Sequence, residues 1–175
     1  MTTEKLNTKE LFISLDYIFS ELLATIEALS EPALNTVPFE DSWTTAQLAT
    51  HITKSNSSIA QALDMEAKKA ERTPGERVSE LKEIFLDFNI KFQSPDFIVP
   101  AAGNYEKEIL IAKLKRSIER LKEQRNRVNL SGILSLPAFG EITKLELLYF
   151  VLYHTQRHTH QLKNIIQVTE KKLKA

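Results

Sequence analysis

The chain contains no cysteine, which excludes disulfides, thiolate metal ligands and a cysteine nucleophile. Any metal would have to be held by histidine nitrogen and oxygen donors. Only four glycines occur, at Gly75, Gly103, Gly132 and Gly140, and they stand apart from one another. There is thus no glycine-rich phosphate cradle and no G-x-S-x-G elbow, and neither nucleotide transfer nor the usual serine hydrolase has support. An excess charge of one sign is missing as well, since 23 Lys and Arg balance 23 Asp and Glu. With no net field to draw in a phosphate backbone, nucleic acid is not expected as a partner. The basic run from Lys113 to Arg127 does not change this, because Glu119 and Glu123 interrupt it at the spacing of a solvated helix face. No apolar run approaches the roughly 18 residues of a membrane span. The start, MTTEKLNTKE, lacks the basic-then-apolar order of a signal peptide. The expectation is a cytoplasmic protein with no membrane partner.

What is present is an ordinary globular composition, 42% apolar and 26% charged. The 175 residues fit one domain, 1–175, by the usual range of about 100–200 residues. Apolar residues recur every three to four positions, the period of a helix. Leu11, Leu15, Ile18, Leu22, Ile26 and Leu29 make one stripe, which Pro32 is expected to end. Thr44, with Gln47 three residues on, forms a capping box that opens a second helix. Its inward face reads Leu48, His51, Ile52, Ser55, Ile59, Ala62 and Leu63, and TPGE at Thr73–Glu76 breaks the chain. A short helix is expected from Ser79, then an extended crossover carrying Pro95 and Pro100. Asn104 is read as opening a third long helix, with Leu110, Leu114, Ser117 or Ile118, Leu121 and Val128 inward. NLSGILSLPAFGE is read as a connecting loop. A second capping box, Thr143 with Glu146, then starts a fourth long helix free of Gly and Pro. Four long amphipathic helices with a long connection between the second and third describe an all-α four-helix bundle, whose sites are built from inward side chains of several helices.

Three of the four histidines fall in YHTQRHTHQ, Tyr153–Gln161, on that last helix. His154 and His158 are four apart, so one sits a turn above the other, and Leu147, Phe150, Gln161 and Ile165 share their stripe. The apolar neighbours direct both imidazoles inward. His160 lies about 240° around the helix from His154 and is expected at the surface or an interface. His51, between Leu48, Ile52 and Ser55, also faces inward. Two imidazoles on one helix and a third from a facing helix make a three-nitrogen face that suits a divalent ion and leaves a position open. The same pattern fits hydrogen-bonded core histidines in a metal-free bundle, and spacing leaves both readings standing. The zinc-protease pattern H-E-x-x-H is excluded, because Thr155 stands where the general-base Glu would be.

With these residues placed, the chain resembles the DinB-like superfamily of metal-binding four-helix bundles, named after a damage-inducible bacterial protein. The resemblance rests on SWTTAQLATHI in the second helix and YHTQRHTHQLKNI in the last. It implies a divalent ion held by one His of the second helix and two of the last, which map onto His51, His154 and His158. Zinc is the first expectation, with nickel, manganese or iron as alternatives. The resemblance further implies a homodimer. Some members are transferases that use low-molecular-weight thiols such as bacillithiol, or mycothiol-dependent maleylpyruvate isomerases. The activity so implied is transfer of an activated thiol to a small electrophile, or hydrolysis of one by activated water, with Gln161 available to orient a ligand. The alternative is a non-catalytic dimeric metal-binding protein with a structural or stress-related role.

Overall fold

Asn7 opens the first helix, its side-chain oxygen accepting from the Lys9 and Glu10 N–H groups, and α1 runs Thr8–Glu27. The computed structural model describes residues 7–175, so the first six residues of the polar start lie outside it. Pro32 does not terminate α1. It sits in the first turn of a five-residue helix, α2 (Glu31–Asn35), where its missing N–H costs nothing. Thr44 and Gln47 complete both bonds of their capping box at the head of α3 (Thr45–Asp64). A two-residue strand, β1 (Lys68–Lys69), follows, then α4 (Val78–Leu86), a 3-10 turn at Asp96–Ile98 and α5 (Lys107–Arg127). The second capping box starts α6 (Lys144–Lys174) as read from sequence.

Three further expectations are corrected. Ser79 lies inside α4, whose cap position is Arg77 with no side-chain cap bond. Asn104 is not the start of α5, because Glu31 of α2 accepts from the Lys107 N–H at 2.9 Å and so caps that helix across the fold. The segment read as a loop is instead a hairpin, β2 (Gly132–Leu136) and β3 (Gly140–Thr143), with β1 adding to β2 in an antiparallel order β1-β2-β3. Gly140, at φ 65, occupies the left-handed conformation that begins the return strand. Gly132 admits β1, since a Cβ there would stand 2.7 Å from that of Ala67.

The long helices pack in a ring, α1 on α6, α6 on α3, α3 on α5 and α5 on α1, while α4 covers α6. Between them lie Leu15, Leu22, Ile26, Leu48, Ile52, Leu63, Leu114, Ile118 and Leu147, all buried. Each such side chain contributes roughly 1.5–3 kcal/mol by leaving water. Every residue from Ile142 to Thr155 is buried, so the first half of α6 is the central helix of the bundle. Its N-terminus is anchored by Glu146, which takes both guanidinium nitrogens of Arg72 at 2.6 and 2.8 Å and the N–H groups of Arg77 and Thr143 at 2.9 Å each. This packing fixes α6 against α3 and so fixes where their histidines meet.

Candidate metal centre

His51 from α3 and His154 and His158 from α6 are buried, with exposures of 2%, 5% and 9%. Their Nε2 atoms converge, 3.2 Å from His51 to His154, 3.1 Å from His51 to His158 and 3.0 Å between the two on α6. The rings of His154 and His158 meet edge to face at 86°, which aims both Nε2 atoms at one point. Trp43 packs against His51 at 5.1 Å, and Phe150 and Phe85 stand 5.0 and 6.3 Å from His154. The surroundings are therefore apolar and aromatic.

The other ring nitrogens decide what the convergent ones can do. Nδ1 of His51 lies 3.1 Å from the Ile98 carbonyl oxygen, which can only accept, so this Nδ1 carries the proton. Nδ1 of His158 lies 2.9 Å from Oε1 of Gln161 and likewise donates. In their neutral forms these two rings then present bare lone pairs at Nε2, facing each other across 3.1 Å. A proton on His154 can bridge one pair of nitrogens but not satisfy all three. A shared cation can. Nitrogens 3.0–3.2 Å apart lie on a circle of about 1.8 Å radius, just inside the 2.0–2.1 Å of a Zn–N bond, so one ion can touch all three. The donor set fits a divalent metal ion, and the triad could bind one.

Electrostatics keep the imidazoles neutral, the form a metal requires. Burial first, then the repulsion that a protonated His51 would exert and that of Arg157, press His158 down to about 3, while the Gln161 hydrogen bond opposes the shift. Burial, with His158, His51 and Arg157, holds His154 well below its usual 6.5. His51 is lowered chiefly by burial, although its bond to Ile98 opposes the shift.

The three predicted histidines are thus brought together and Gln161 touches one of them. His160 is exposed and lies outside the cluster, stacked flat on Phe88 with centroids 4.0 Å apart. Sequence reasoning missed the Ile98 carbonyl, a backbone group with no residue signature. It also missed Trp43 and Phe85, whose approach to the histidines depends on tertiary packing.

A family model for the DinB superfamily matches residues 14–162. The chain is 26% identical over 159 residues to the uncharacterized protein YuaE of Bacillus subtilis (strain 168), covering 83% of this chain and 91% of that one. Its fold is similar to the crystal structure of TT2238, a four-helix bundle protein (TM-score 0.61, 20% identity, 90% of this chain and 99% of that chain). It is similar too to a conserved protein from Enterococcus faecalis (TM-score 0.64, 18% identity, 94% and 97% of the two chains). With the family model spanning all four long helices and the triad on α3 and α6, the chain belongs to the DinB superfamily.

Proposed function

We propose that this protein is a metal-dependent enzyme in which His51, His154 and His158 hold a divalent ion, zinc in the first instance, and a small thiol or water is activated beside it. The observation that carries the proposal is the convergence of three buried Nε2 atoms within 3.0–3.2 Å, two of them on rings whose Nδ1 protons are committed to the Ile98 carbonyl and the Gln161 amide. A bound divalent cation supplies Lewis acidity, lowering the pKa of a thiol or water so that its anion is available near neutral pH. The chain's own residues do the rest. Ile98 and Gln161 hold two rings in the orientation and tautomer that point Nε2 inward. Trp43, Phe85 and Phe150 line the cluster with apolar surface, where charge interactions are stronger than in water.

The reaction class follows from what is missing. Thr155, not a carboxylate, stands beside His154. Among the described residues no acidic side chain is among the groups that shift the triad, which supports a reaction whose nucleophile would be activated at a bound cation rather than by a carboxylate base. Transfer of a low-molecular-weight thiol to a small electrophile, or hydrolysis of one, fits that description. The same proposal extends to a homodimer, which sedimentation of the purified protein checks. Turnover is tested with zinc-loaded protein on a panel of thiols and electrophilic acceptors, with and without chelator. Chelator-sensitive turnover is expected. Its absence across the panel leaves the second reading, a non-catalytic metal protein whose ion ties α3 to α6, which the burial of all three histidines favours.

A further inference from the structure

The crossover from Asp87 to Ala101 lies over α3 and α6 as a strap, and it is held in an unusual way. Its large apolar side chains, Phe88, Ile90, Phe92, Phe97 and Val99, are exposed, while Ile98 is buried. Beside the stacking of Phe88 on His160 and of Phe92 on Phe85, the attachments are side-chain donors reaching up to its backbone carbonyls. From α3, Gln47 donates to Ala101 at 3.3 Å, His51 to Ile98 at 3.1 Å and Lys54 to Val99 at 2.7 Å. These three residues, spaced four and three apart, form one stripe of the helix. From α6, Arg157 donates to the Phe85 carbonyl at 3.2 Å, to Asp87 at 2.9 Å and to Ile90, while its guanidinium lies 4.7 Å over the Phe92 ring. One of the donors that seats the strap is therefore also a member of the triad.

We infer that Arg157 is a positioning residue for the three-histidine site, acting through the strap whose Ile98 carbonyl fixes the ring of His51. The inference rests on the metal reading above. When the strap is seated, Ile98 selects the His51 tautomer with Nε2 bare and holds the ring toward His154 and His158. When the strap lifts, His51 loses that acceptor and its orientation. By linkage, an ion that binds the oriented triad must favour the seated strap to the same degree. Arg157 is the residue best placed to set that balance, because a planar guanidinium can span several carbonyls where a lysine ammonium offers one compact charge.

The test is amide hydrogen exchange across 87–101 on chelated protein, before and after zinc is added. The Ile98 and Val99 amides, which donate to Pro95 and Asp96 within the 3-10 turn, report the strap. Zinc is expected to slow their exchange about tenfold. Arg157→Lys, which keeps the charge, is expected to weaken zinc binding by about tenfold, the low end for groups that orient a metal-binding ring, and to shrink the zinc-dependent protection. Lys54→Met is the second variant, independent of how the first one folds. Losing a cation near His51 would by itself favour zinc, so weaker binding in Lys54→Met marks the loss of the strap rather than a charge effect. Zinc binding with unchanged exchange in the strap, or native zinc affinity in both variants, overturns the coupling alone. Failure of native protein to bind zinc overturns the coupling and the metal reading together.

Discussion

Replacing Gln161 separates the proposed metal role of the triad from a purely structural one. Its Oε1 accepts from Nδ1 of His158 at 2.9 Å, and the side chain is half-buried. In Gln161→Leu that Nδ1 loses its acceptor, so the tautomer with the proton on Nε2 is no longer disfavoured and the ring is freer to turn. Loss of a group that orients a metal-binding imidazole costs between ten- and a hundredfold in affinity. Because water can reach a half-buried site and replace part of the bond, the low end applies, about tenfold or ~1.4 kcal/mol. Gln161→Glu should act in the other direction. A carboxylate accepting from Nδ1 draws the proton further and makes Nε2 a better donor to a cation, so zinc should bind at least as tightly as to native protein. The assay is competition for zinc against a chromophoric chelator at pH 7, with urea unfolding as the control for fold. The predicted order is Glu at or above native and Leu about tenfold below. Equal zinc affinity in native, Leu and Glu proteins would refute the idea that Gln161 prepares His158 for a cation.

Other perturbations probe the fold and the limits of the site. Glu146→Gln removes a buried carboxylate from Arg72 and two N–H groups and should cost about 3–5 kcal/mol in urea unfolding at pH 7; a loss below about 1 kcal/mol would contradict this account. Burial alone would raise the Glu146 pKa, but Arg72 and the Thr143 and Arg77 N–H groups outweigh it and hold the pKa below 4.5. Its stabilising contribution is thus full above 4.5 and fades as pH falls through the depressed folded value, an acid sensitivity the Gln variant should lack. Thr155→Glu, which restores the letters of H-E-x-x-H, should destabilise the protein and give no cleavage of casein, because position 155 is fully buried. His160→Ala should leave metal content unchanged, since that ring stacks on Phe88 away from the triad; a fall in bound metal would place His160 in the site.

The sequence was most legible where the structural cause is local. Both capping boxes form as read, because the Thr and its partner three residues on need nothing beyond their own helix turn. The inward stripe of α6 was equally clear, and it separated His154 and His158 from His160 by rotation alone. Legibility failed where the partner is remote. The start of α5 is set by Glu31, 76 residues earlier, and no residue near Asn104 signals it. The hairpin at Gly132–Thr143 was hidden because four or five residues of mixed polarity carry little period, and β1 joins it from more than sixty residues away. The same holds at the site. The histidines could be found from spacing, whereas the Ile98 carbonyl that orients His51 comes from a crossover whose path depends on side chains of two other helices.

The central claim is that His51, His154 and His158 hold one divalent ion, and elemental analysis of untagged protein beside a His158→Ala variant addresses it most directly. Native protein is predicted to carry about one equivalent of metal, and the variant, left with two nitrogens, to lose most of it while staying folded. Equal metal content in the two proteins, or native protein that stays empty when offered zinc, would contradict the claim.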